Sequence, residues 1–282
     1  MTAALLAGGA ALCYGVSNFV GPRIVRHLPL YPVLISGQVV ALLVSAALLV
    51  TESGAPDAEQ VAAALLAGVG NAFALIAFYR TAELGPMSIV APLGALGAIV
   101  PVALGVVHGE SIGALKLVAI VIALGGVALA ARPPAGPDRP PAGPDRTSSA
   151  AAWALLSSLG FGVFLAGMSE AGGGGPFWAI AISRASLLAL YVVVAVRLSS
   201  PLRVPAADVP RVLVPGLLLF AGTLAYTVAT REGDLSVVSV IASLAPVVIV
   251  ALAFTLLGER LTRTQASGAA MALAGSIMLA AR

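Results

Sequence analysis

The stretch Val237–Leu257 runs the length of a membrane-spanning helix without one charged side chain, and apolar runs of this kind recur down the whole chain. Crossing about 30 Å of hydrocarbon takes about 20 mostly apolar residues in a helix. Only helices and closed β-barrels satisfy every backbone polar group inside lipid, and barrel strands alternate apolar with polar residues. The runs here are unbroken, as again at Lys116–Ala131, so helices are expected. Charged residues make up 10% of the chain and the mean hydropathy is +1.05, whereas a soluble domain carries about 25% charge to face water. The expected fold is therefore all-α and polytopic.

Runs bounded by charge, Pro or Gly fall at about 3–21, 31–50, 60–80, 87–107, 113–131, 150–169, 177–197, 210–229, 236–257 and 265–281, which predicts ten transmembrane helices. The first has no basic segment ahead of it and is followed by further apolar runs, so it reads as a span rather than a signal peptide. The formal charge of +3 and the pI of 9.4 come from basic residues scattered singly between runs. That pattern fits loops at a membrane surface and gives no nucleic-acid patch. Cys13 is the one cysteine, so no internal disulfide can form, and it reads as a small packing residue.

Residues 132–149 form the one clear linker. They contain the heptad Pro-Pro-Ala-Gly-Pro-Asp-Arg twice in tandem, at 133–139 and 140–146. Proline at this density favours an extended, semi-rigid spacer. On either side of it the sequence repeats itself. Gly109-Glu110 matches Gly258-Glu259, Gly126 matches Gly275, and Tyr14-Gly15-Val16 matches Phe161-Gly162-Val163, all at offsets of 147 to 149 residues. The chain thus divides into a first repeat at 1–131, the linker, and a second repeat at 150–282.

Five spans per repeat is an odd number, so two halves of like fold must enter the membrane from opposite sides. Such inverted repeats place a binding site at the midplane and open it alternately to each face. Arg23, Arg26, Arg80, Arg132, Arg139, Arg146, Arg197, Arg203, Arg211, Arg260 and Arg263 fall on one side of the ten-span scheme. Lys116, Arg231 and Arg282 fall on the other. Since basic loops stay in the cytoplasm, the linker is expected inside and both termini outside.

Three stretches of the second half, Ala229–Val238, Ser243-Leu244-Ala245-Pro246 and Leu257-Gly258-Glu259-Arg260-Leu261-Thr262, resemble the EamA domain of the drug/metabolite transporter superfamily. Gly85–Leu93 and His108-Gly109-Glu110-Ser111 form a looser copy in the first half. Tyr14-Gly15-Val16-Ser17-Asn18-Phe19 is similar to the first helix of that family. The resemblance covers nearly the whole chain and implies ten helices around a central cavity, with transport of amino acids, other metabolites, nucleotide sugars or drugs. The sequence departs from the pattern at Gly97, where the position matching Pro246 would be proline, and Pro101 follows four residues later. The family is often drawn with cytoplasmic termini, opposite to the charge count.

Polar groups inside spans are costly and usually face the bundle interior. Arg184, in the seventh run, stands out. Its guanidinium stays charged, and its planar fork suits a carboxylate or phosphate; tying helices together through backbone carbonyls is the alternative role. Ser36-Gly37-Gln38 aligns with Ser183-Arg184-Ala185, so Gln38 in one half stands at nearly the depth of Arg184 in the other. Tyr14 and Asn18 are four apart on one face of the first span, and their counterparts, Phe161 and Leu165, are apolar. Asn71, Tyr79, Thr223 and Tyr226 are further polar groups within spans. The candidate substrate-binding set is Tyr14, Asn18, Gln38, Arg184 and Tyr226. Glu110 and Glu259 lie at span ends, where capping or pairing with Lys116 and Arg260 is expected, and no carboxylate lies at mid-depth.

No HExxH, Walker A, paired-cysteine or Ser–His–Asp signature is present. No catalytic residue, metal site or cofactor is expected. The leading expectation is a secondary transporter of small polar metabolites such as amino acids, working by alternating access in the plasma membrane as a monomer or homodimer. A carboxylate-bearing substrate would suit Arg184. A multidrug or cation exporter would favour an aromatic, acidic cavity, against 5% aromatic residues here. A membrane scaffold or sensor would need the linker for a partner, so deleting 133–146 separates that role from a simple tether.

Overall fold

The computed structural model describes residues 1–25, 27–84, 95–130, 144–257 and 262–281. Among these residues every regular element is a helix. In chain order they are α1 (Thr2–Val25), α2 (Leu30–Leu48), α3 (Ala58–Leu84), α4 (Ile99–Val107), α5 (Ala114–Ala130), α6 (Pro144–Gly172), α7 (Pro176–Arg197), α8 (Val209–Glu232), α9 (Leu235–Ala242), α10 (Ala245–Leu257) and α11 (Arg263–Ala280). Large apolar side chains point outward: Leu5 is 72% exposed and Ile277 67%. Gln38, Arg184, Thr223 and Ser239 are buried instead. Polar inside and apolar outside is the distribution of a protein solvated by lipid.

Among the described residues, seven segments are long and apolar enough to cross a membrane, one of them the pair α9–α10 taken together. Helix α5 is also apolar but has 17 residues. The fourth expected span is described only from a 3-10 turn at Ala95–Ala98 into α4. Helix α11, at the expected tenth span, falls outside the seven because Arg263, Thr264 and Gln265 occupy its first turn. Arg263 and Thr264 are exposed, and Gln265 is buried against the cap. Thr262 Oγ1 accepts from the Gln265 N–H at 3.2 Å, and Gln265 Oε1 accepts from the Thr262 N–H at 2.9 Å, a reciprocal capping box. Helix α6 begins at Pro144, so the last residues of the expected linker are already helical. Proline is tolerated in the first turn, where its missing N–H has no partner to lose. The rest of the linker, 132–143, lies outside the described residues.

Span nine breaks between α9 and α10. Pro246 lacks an N–H for the carbonyl one turn back, so the ladder tightens at Ser243–Leu244, where Leu244 N–H donates to Ile241 O at 3.1 Å. At the corresponding place in the first half a 3-10 turn, Ala95–Ala98, leads into α4. Gly97 stands where proline was expected, for a steric reason: a Cβ there would lie 2.9 Å from Ser158 O on α6. The two halves exchange one further contact: a Cβ at Gly162 of α6 would lie 2.6 Å from Gly97 O, and one at its counterpart Gly15 of α1 would lie 2.9 Å from Ala245 O.

That exchange extends through the bundle. Helix α1 packs on α8 and α3 on α6; α2 packs on α7, and α5 on α11. Swapping the halves turns the first pair into the second and each of the last two into itself. The α5–α11 seam shows the direction. Gly126 meets Ala272, Ala123 meets Gly275, and Ala130 meets Gly268, each without room for a Cβ on the glycine. As one number rises the other falls, so these helices cross antiparallel. Repeat-related helices that run antiparallel about such an axis are the geometry an inverted repeat requires.

Candidate functional site

Helix α7 packs between α2 and α3. A Cβ at Gly68 of α3 would run into Ser186, which donates to Leu65 O at 3.1 Å, so Ser183 and Ser186 form the face against α3. About 100° around the helix, Arg184 turns toward α8 and α6. It is 1% exposed. Its Nη2 donates to Thr223 Oγ1 at 2.6 Å, and its Cζ stands 5.6 Å from the centroid of the Phe164 ring on α6. Among the described residues Nε and Nη1 have no hydrogen-bond partner.

Thr223 is the hub of the cluster. Its hydroxyl donates to Leu219 O at 2.7 Å, which leaves its lone pairs for Arg184 and for the Tyr14 hydroxyl at 3.4 Å. Tyr14 comes from the first half; Arg184 and Thr223 come from the second. A guanidinium in a water-poor interior normally needs most of its donors satisfied, since leaving one unpaired costs about 1–3 kcal/mol or more. This one holds a neutral hydroxyl and a ring face, with Nε and Nη1 unspent. The arrangement can bind an anion.

Of the residues singled out in the sequence, Tyr14 and Arg184 meet through Thr223. Tyr226 lies one helical turn from Thr223, but its hydroxyl is engaged elsewhere. It donates to Leu165 O at 3.0 Å and pairs with Ser239 Oγ at 2.9 Å, tying α6, α8 and α9 together. Gln38 is 1% exposed, with Oε1 unpaired among the described residues, yet it shares no hydrogen bond with the Arg184 cluster. Its neighbour Gly37 faces Gly216, about 10 Å along α8 from Thr223. Because Gly37–Gly216 corresponds to Ser183–Gly68 across the pseudo-axis, Gln38 is the counterpart of Arg184, one position closer than the linear alignment placed it. Asn18 is partly buried and makes no hydrogen bond among the described residues, while adjacent Ser17 donates to Pro215 O at 3.1 Å.

Phe164 and Ser239 carried no signal in the sequence, since a phenylalanine or serine in an apolar run looks like any other. Among the described residues no three His, Cys, Asp or Glu side chains gather to hold a metal. An open cavity of about 320 Å³ lies near the start of α7, lined by Glu52, Asp57, Gln60, Gly173–Gly175 and Arg231; Arg184 does not line it.

The profile of the EamA-like transporter family matches residues 1–132 and again 148–281. The chain belongs to the EamA-like transporter family. It is thus a multi-pass membrane transporter of the drug/metabolite transporter superfamily, built as two EamA repeats. A crystal structure described without further detail shares the fold, with a TM-score of 0.77 at 14% identity over 99% of this chain and 97% of its own. A search among curated proteins finds no match. The Arg184 cluster sits where the two EamA repeats meet, through Tyr14 on one side and Thr223 on the other.

Proposed function

We propose that this EamA-like protein is a secondary transporter that moves small, carboxylate-bearing metabolites such as amino acids across the plasma membrane. In this reading ten helices, in two inverted five-helix halves at 1–131 and 150–282, expose a central site to each face in turn. Arg184 attracts the anionic group and Tyr14 borders it; Gln38 and Asn18 offer hydrogen bonds to other parts of the substrate, and Tyr226 braces the wall. The protein works as a monomer or homodimer, driven by a solute gradient, because no ATP-binding motif is present.

The observation that carries this reading is the buried guanidinium whose Nε and Nη1 are unpaired among the described residues, at the meeting of the halves. A fixed positive charge there repels cationic drugs, which separates the reading from a cation exporter. In proteoliposomes, Arg184→Ala should cut uptake of carboxylate substrates at least about tenfold, the loss expected for one charge-assisted contact, with the protein still folded. Undiminished uptake by a folded variant rules the role out.

A further inference from the structure

At the end of the bundle that holds residue 1, one carboxylate from the first half grips a helix of the second. Glu110, just beyond α4, accepts from the Leu235 N–H and the Ser236 hydroxyl, and from the Ser236 N–H at 3.2 Å. It therefore caps the N-terminus of α9, where unpaired N–H groups and the helix dipole favour a negative charge. Lys116, at the start of α5, is 7% exposed and completes the cluster. Its Nζ lies 2.7 Å from Asp234 Oδ2 and 3.5 Å from Glu110 Oε2. The fold makes room for this: a Cβ at Gly105 would lie 2.7 Å from the Glu110 carboxyl carbon.

We propose that the Glu110–Lys116–Asp234–Ser236 cluster is the latch that closes this end of the transport path. The proposal rests on the alternating-access reading above. Glu110 and Lys116 belong to one half, Asp234 and Ser236 to the other, so halves that rock apart here must break it. Removing one partner of a buried ion pair strands the other charge; such a cluster has two discrete states, made and broken. Its release also reaches the site. Three residues beyond Ser236, Ser239 holds the Tyr226 hydroxyl, and one turn before Tyr226 stands Thr223, the hydrogen-bond partner of Arg184. Glu110 is thus a positioning residue whose grip on α9 links closure of this end to the Arg184 cluster.

The test reads water access behind the latch. In a Cys13→Ala background, Val238→Cys on α9, 1% exposed here, is titrated with a membrane-impermeant maleimide. Labelling should be slow in the parent and at least about tenfold faster in Glu110→Gln and in Lys116→Met, as local opening becomes cheaper. Val127→Cys, buried in the α5–α11 seam, should stay protected in both. Unchanged labelling of Val238→Cys in Glu110→Gln overturns the proposal.

Should both reporters label because the variant has lost its fold, a second arm decides. Ala3→Cys with Gly233→Cys keeps all four side chains of the cluster; a Cβ at Gly233 would lie 2.8 Å from that of Ala3, so the start of α1 must give by about 1 Å to reach the Cβ spacing of a disulfide. Closing that disulfide should stop uptake, and reduction should restore it; uptake that persists with the disulfide closed overturns the latch. The labelling arm needs no substrate. A wild type that labels as expected but transports no carboxylate therefore sinks the proposed function and leaves the latch standing.

Discussion

Among the described residues Arg184 has one hydrogen bond for its guanidinium, and that bond ends on a threonine whose own proton is committed to the Leu219 carbonyl. Thr223 can therefore only accept from the arginine, and the direction of the charge depends on a single hydroxyl. Thr223→Val keeps the shape and removes the acceptor. Hydrogen bonds to charged groups contribute about 1.5–3 kcal/mol, so this variant should lose about 2 kcal/mol of stability in detergent melting, while Thr223→Ser stays near the wild type. A valine variant that melts with the wild type would show that the Arg184–Thr223 bond contributes little. The sequence made Arg184 conspicuous because charge is rare in spans, yet it left Thr223 outside the candidate set. A hydroxyl in an apolar run shows its role only once its neighbours are in place.

Helix packing here depends on small residues that let backbones touch. In membranes the apolar effect does not drive helix against helix, so close van der Waals contact takes its place. Gly125 and Gly126 make the argument within one helix. A Cβ on Gly126 would run into the backbone of Ala272, while nothing lies within 4 Å of one on Gly125. Gly126→Ala should cost about 1–3 kcal/mol through overpacking, and Gly125→Ala should be neutral or mildly stabilising. Equal melting shifts for the two would refute the seam. Breaks in the helices follow the same local chemistry. Pro246 announces the α9–α10 break in the sequence, whereas Gly97 announces nothing, because its reason is the Ser158 carbonyl on another helix.

Over the whole molecule, loops sort to two ends. Glu52 accepts from the Phe177 N–H at 2.9 Å, His108 faces Glu170 at 3.5 Å, and Lys116 pairs with Asp234, all at the end holding residue 1. Arg23 and Arg197 lie in the last turns of α1 and α7, and Arg211 in the first turn of α8, at the opposite end. If the basic end is cytoplasmic, Ala207→Cys in the α7–α8 loop should label with an impermeant reagent only after cells are lysed, and Ser53→Cys should label in intact cells; the reverse pattern would invert the protein in the membrane. Inversion of the halves, the charge bias and the candidate arginine were legible in the sequence, because apolar run length, repeat spacing and rare charge are properties of the chain itself. What only the tertiary structure decided is which helices of one half lie on which of the other, that Tyr226 is committed to bracing while Tyr14 reaches Thr223, and that Glu110 reaches across to cap α9. Those depend on contacts between residues far apart in the chain, where a glycine or a hydroxyl gains its meaning from the backbone that approaches it.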